Sequence, residues 1–166
     1  MTRLMIVLTI LASCNCDEYR NKDEGIKSRL KDYKDAYSLI SKNYGLLKSN
    51  GLSFKSGSPG LEGLTIDFKK IKRLTEEQNN QVLNDIRQLW DKKLIETNGE
   101  INYYLDNDRP SIHFRVKKCR RIEHIIYYGE DDMYDIRGES DDFSTFGRDS
   151  LDGHWRYVIQ QVNSGQ

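Results

Sequence analysis

Between Ile26 and Leu47 the apolar residues fall at Ile26, Leu30, Tyr33, Tyr37, Ile40, Tyr44 and Leu47, a spacing of 4, 3, 4, 3, 4, 3. At about 3.6 residues per turn this keeps all seven on one stripe of a helix about 33 Å long, a stripe that something must cover. A coiled coil would cover it with a second copy of the chain. Three heptads are short for that, however, and tyrosines pack poorly in a narrow seam. The broader cover is a sheet, and the rest of the chain supplies strands.

Asn50-Gly51 and Ser56-Gly57-Ser58-Pro59-Gly60 read as turn and loop after this helix. Leu64, Ile66 and Phe68 then alternate with Thr65, Asp67 and Lys69, the pattern of a half-buried strand. Thr75-Glu76-Glu77-Gln78 matches a capping box, which predicts a second helix starting at Thr75. Its apolar face is Val82, Ile86, Leu89, Trp90 and Leu94, and Asn98-Gly99 is its expected stop. Ile101, Tyr103 and Leu105, a turn at 107–110, and Ile112, Phe114 and Val116 predict a hairpin. Further strands are expected from Ile122 to Tyr128, in short form from Met133 to Arg137, and from Trp155 to Gln160, with a polar loop before the last. The order points to an α+β fold: an antiparallel meander of about four to five strands with two amphipathic helices on one face.

With 166 residues, 37% of them hydrophobic, the chain has material for one core and one domain. Lys plus Arg and Asp plus Glu are equal at 26 each, so no global charge excess draws the chain to nucleic acid.

Residues 1–13 stand apart from this domain. Arg3 is followed by the apolar run Leu4 to Ala12 (LMIVLTILA), which as a helix would rise only about 15 Å, half the roughly 30 Å of a hydrocarbon core. A short positive start and a short apolar run describe a secretory signal better than a spanning helix. The run ends in Leu11-Ala12-Ser13-Cys14, which resembles the lipobox of bacterial lipoproteins. The resemblance implies removal of residues 1–13 and diacylglycerol on the Cys14 thiol. It also implies an acyl chain such as palmitate on the new amino terminus. Two or three acyl chains together make a stable anchor where one alone holds marginally. Asn15, in place of the Asp that marks inner-membrane retention in proteobacterial lipoproteins, makes the outer membrane the implied location. Residues 14–25 would then be the lipidated Cys and a polar tether, whose 11 residues from Asn15 to Gly25 reach about 18 Å root-mean-square. The globular domain is expected over residues 26–166.

Export places the chain where disulfides persist. With Cys14 lipidated, Cys16 and Cys119 are left either to pair, pinning the tether to the sheet, or to stand as lone thiols. No cofactor is implied beyond the lipid, and the spacing of the cysteines matches no zinc pattern. His113, His124 and His154 lie on three expected strands without a short metal-ligand spacing; His113 and His124 are expected on polar faces. The acidic stretch from Glu130 to Asp152 does not match a calcium loop. Lys117-Lys118-Cys119-Arg120-Arg121 is a basic run between two strands, suited to anionic headgroups or simply to a solvated turn. Ten tyrosines and two tryptophans favour recognition, since such rings bury much area at small entropic cost. In Tyr103-Tyr104 and Tyr127-Tyr128 one ring of each pair must face away from the core, so Tyr104 and either Tyr127 or Tyr128 are the candidate binding face.

These features predict a lipid-anchored envelope module that binds a protein partner without catalysis, an immunity-type lipoprotein being one form of it. The alternative is an envelope hydrolase using carboxylates of the 130–152 loop, which would bring at least two of Asp131, Asp132, Asp141, Asp142 and His154 into one pocket, although no common catalytic signature is present. Intact-mass measurement of the mature protein is expected to find a chain beginning at a lipid-modified Cys14. An unmodified chain beginning elsewhere would rule the anchor out.

Overall fold

The computed structural model describes residues 23–55, 61–78, 80–106, 108–129 and 143–162. A single helical turn at Lys27–Arg29 leads into α1 (Leu30–Lys42) and α2 (Tyr44–Leu47), after which the chain turns at Asn50 and Gly51. The expected stripe is used with an internal division. Ile26, Tyr33, Ile40 and Leu47, each seven residues from the next, are fully buried, whereas Leu30, Tyr37 and Tyr44 are half-buried along one edge. A seven-residue step brings a side chain back to nearly the same bearing, so one row faces straight into the partner surface. That surface is the sheet. The Tyr33 ring meets Phe114 edge-on at 5.3 Å, and Tyr37 packs among Tyr103, Tyr128 and Trp155.

The sheet comprises β1 (Ser53–Lys55), β2 (Leu61–Asp67), β3 (Glu100–Asp106), β4 (Arg109–Cys119), β5 (Ile122–Tyr128), β6 (Phe143–Asp152) and β7 (Trp155–Val162). It is antiparallel at every pairing, in the order β1-β2-β3-β4-β5-β7-β6. Leu64, Ile66, Ile101, Tyr103, Ile112, Phe114, Ile126, Trp155, Tyr157 and Ile159 line its helix side and share one core with the helices. The α+β class is as expected, with seven strands rather than four or five. Two of the extra strands hide well in sequence. β1 is three residues long, and β6 is an edge strand whose register slips twice, so no clean alternation marks it. The expected short strand from Met133 to Arg137 lies outside the described residues.

The helix expected from Thr75 is instead two helices, α3 (Phe68–Gln78) and α4 (Gln81–Asp91). Asp67 starts the first, its Oδ1 accepting from the Lys70 N–H at 2.7 Å. Thr75 is therefore interior to a helix and caps nothing. It is buried, and its hydroxyl donates to the Ile71 carbonyl. The true cap of α4 is Asn80, whose Oδ1 accepts from Val82 N–H at 3.0 Å and Leu83 N–H at 3.4 Å. α4 ends at Asp91, before the expected stop, because Lys93 takes a left-handed conformation (φ 57°) and turns Leu94 and Ile95 down into the core. No described helix is long and apolar enough to cross a membrane.

Replacing Asn80 by Ala is expected to cost about 1 kcal/mol of folding stability, and Asn80→Asp to cost less, because a side-chain acceptor is kept at the cap. Chemical denaturation of the two variants measures this.

Candidate functional site

The helices cover one side of the sheet, and among the described residues no helix covers the other. On that open side, which is half-exposed along β3 and β4 while Ile125, Tyr127, Val158 and Gln160 of β5 and β7 are buried, β4 carries the feature that organises the surface. Its register with β5 shifts between Arg115 and Lys117: Arg115 pairs with Ile125, and Lys117 pairs with His124. The extra residue, Val116, puts two successive side chains on the helix side, where Val116 joins the core and Lys117 reaches Asp23 at 3.1 Å. Its carbonyl, turned out of the ladder, accepts from the Glu96 N–H at 2.9 Å.

As a result Lys118, rather than Lys117, joins Arg115 on the open side, the two straddling Glu123 of β5. The Glu123 carboxylate, only 4% exposed, lies 3.0 Å from Lys118 Nζ and 3.3 Å from Arg115 Nε, the latter an ion-pair contact off the line of a hydrogen bond. Gln160 of β7 donates to it at 3.4 Å. Arg115 also grips Glu100 at 2.7 Å, Asn102 donates to that carboxylate at 2.9 Å, and the Thr65 hydroxyl donates to Asn102 at 3.0 Å. One polar chain therefore crosses β2, β3, β4, β5 and β7. A buried carboxylate is tolerable only with such company, since desolvation costs several kcal/mol per ion.

Beside this network runs a row of rings: Phe54, Tyr104, His113 and Tyr127, with successive centroids 5.7, 5.0 and 4.8 Å apart. Gly63 lies between Phe54 and Tyr104 in the register, and a Cβ there would meet the Phe54 ring at 2.9 Å. Only its bare backbone lets the row close across β2. Asn102, Tyr104, His113, Arg115, Glu123 and the turn arginines Arg120 and Arg121 line a groove of about 450 Å³ on this face.

The structure places the three candidate tyrosines differently. Tyr104 is on the open side and half-buried. Tyr127 is on the same side but only 1% exposed, beneath Gly129, where a Cβ would sit 2.0 Å from its hydroxyl oxygen. Tyr128 is not on this face at all. Alternation puts it on the helix side, 4.8 Å from Tyr37 and 5.2 Å from Trp155. Sequence reading missed His113, Arg115 and Glu123 as one cluster, because only the pairing of β4 with β5 brings them side by side.

The three histidines do not converge. His113 belongs to the ring row, and His154 is exposed in the β6–β7 turn. His124, expected on a polar face, is buried on the helix side, with Nδ1 2.5 Å from the Tyr157 hydroxyl. That hydroxyl also accepts from the Asp23 N–H at 3.1 Å, and burial pushes its pKa up to about 12. Among the described residues no group of His, Cys, Asp or Glu could hold a metal ion. Asp131, Asp132, Asp141 and Asp142 lie outside the described residues. Of the remaining acidic stretch, Asp152 pairs with Lys34, which holds its carboxyl below the ordinary value.

A second cavity, about 690 Å³, opens on the helix side between Ile26, Trp90, Leu94, Val116 and Lys117, with Asp23 at its edge. Burial raises the Asp23 pKa, but hydrogen bonds from Lys117 and the Gly25 N–H, with the charges of Lys117 and Arg29, outweigh it and leave the group below its ordinary value. Cys119, at the end of β4, is disulfide-bonded. Cys14 and Cys16 lie outside the described residues.

Removing the cation at the centre of the network, as in Arg115→Met, is expected to cost on the order of 2–4 kcal/mol, since Glu123 keeps only Lys118 as its ion partner. Adding Glu123→Gln to Arg115→Met should restore part of that loss, which a double-mutant cycle by denaturation reads directly. No protein-family model, curated protein or solved structure matches the chain.

Proposed function

We propose that the mature protein is a lipid-anchored binding module of the bacterial envelope, attached through Cys14, with the open face of its sheet as the recognition surface. The observation that carries this reading is the pairing of an aromatic row with a hydrogen-bonded ion network around one shallow groove. Tyrosine and arginine dominate the energetics of protein interfaces, and cross-strand ion pairs hold such side chains rigid before a partner arrives. The groove's inner charges, Glu100 and Glu123 against Arg115 and Lys118, balance. The partner that suits these inner residues is an envelope protein offering apolar surface and hydrogen-bonding groups, while Arg120 and Arg121 leave the groove as a whole positive. An immunity-type role, in which the partner is an incoming toxin, is one form of the same activity. Outer-membrane residence follows from Asn15 after the lipidated cysteine.

The test is recovery of a partner from native envelopes by the intact lipoprotein and by its Tyr104→Ser variant. Wild-type protein is expected to retain a stoichiometric protein partner, and the variant, melting at nearly the same temperature, to lose it at least tenfold. Equal recovery by both, or no stoichiometric partner for the wild type, would overturn the proposal.

A further inference from the structure

We infer that the β4–β5 turn is the membrane-facing end of the domain, with Arg120 and Arg121 seated on anionic lipid headgroups. The inference rests on the lipid-anchor reading of Cys14 and adds to it an orientation and a lipid preference.

Two observations bring the anchor to this turn. Cys119 is disulfide-bonded, and the chain holds only three cysteines. With the Cys14 thiol taken by lipid, the partner of Cys119 is Cys16. Independently, the described chain enters the fold at Asp23, which is fastened to Lys117, two residues from Cys119, and to the Tyr157 hydroxyl on the neighbouring part of the sheet. The described chain thus begins, at Asp23, beside the end of β4 that carries Cys119. The 11-residue tether no longer sets the distance to the bilayer; the two steps from Cys14 to Cys16 do.

Two extended residues span about 7 Å and a disulfide about 6 Å between Cα atoms, so Cys119 stays within about 13 Å of the lipidated residue. At that range the charges of the turn decide what happens. Lys117 and Lys118 are neutralised by Asp23 and Glu123. Arg120 and Arg121 are exposed, and no carboxylate among the described residues pairs with either. Arg120 adopts a left-handed turn conformation (φ 53°) at the tip of the hairpin. Two uncompensated guanidinium groups within a Debye length or so of the headgroups attract anionic lipid. The open sheet face then stands beside the bilayer, its groove reachable from the aqueous side.

The experiment uses the full chain processed and lipidated in bacteria, placed in phosphatidylcholine vesicles with or without phosphatidylglycerol. Peptide mapping without reduction is expected to find lipid on Cys14 and a Cys16–Cys119 link. A lipid-free Cys14 would remove the anchor reading and this inference together. A lipidated Cys14 with Cys119 joined to anything other than Cys16 would overturn this inference alone. Hydrogen exchange over residues 117–122 is expected to slow at least roughly fivefold on anionic vesicles, about the factor one arginine contributes at such a surface. The slowing should vanish in the Arg120→Gln/Arg121→Gln variant and weaken in Cys16→Ser, which keeps the lipid and loses the link. Exchange indifferent to phosphatidylglycerol would overturn the orientation while leaving the lipid anchor intact.

Discussion

Burial of the row Ile26, Tyr33, Ile40 and Leu47 against the helix side of the sheet is the contact on which the rest of the molecule depends. Each such side chain contributes roughly 1.5–3 kcal/mol when withdrawn from water, and the row recruits Phe114 and the Tyr37–Tyr103–Tyr128–Trp155 ring cluster beneath it. Tyr33 shows how tightly the layer closes. Its hydroxyl, driven well above its ordinary pKa by burial, must find an acceptor and takes the Leu94 carbonyl at 2.7 Å, which ties α1 to the segment that follows α4. All the described helices pack on this side, and the opposite face also binds its strands together through its own side chains.

It does so by means of one extra residue. Without the bulge at Val116, strict alternation would send Lys117 to the open face and Lys118 into the core side. With it, Lys117 serves the entering chain at Asp23, and Lys118 completes the charge balance around Glu123. A single irregularity in β4 thus serves both faces, and the carbonyl it frees is satisfied by Glu96 rather than left bare. The open face gains a rigid polar network at the cost of desolvating a carboxylate, an expense more readily understood for a recognition surface than for a stabilising one.

The ion pair of Lys117 with Asp23 holds the start of the described chain near the end of β4 that carries the disulfide-bonded Cys119. On the proposed reading, a lipid anchor attached there would hold the groove near the membrane in a defined attitude, where a long free tether would let it tumble.

Much of this molecule is legible from residue order. The 4-3 spacing from Ile26 to Leu47 dictated a helix and a surface to cover it, and alternation around Tyr103, Phe114 and Tyr157 dictated which side of the sheet that surface would be. The lipobox-like ending at Cys14 is likewise a matter of local sequence, as is the α+β class. What local pattern could not supply were features set by neighbours distant in the chain. Asn80 outcompeted Thr75 as a cap because Thr75 is buried within a helix already started at Asp67. β6 exists because β7 offers it an edge, whatever its own polarity. Tyr128 turned inward because its register opposite Ile112 and Trp155 puts it on the helix side, and Glu123 met Lys118 rather than Lys117 because a one-residue slip realigned two strands. The sequence by itself determined the periods, and with them the elements and the core side. Only the tertiary structure decided the register, and register selects which polar side chains share a face, because each one-residue shift in a strand moves a side chain to the other side of the sheet.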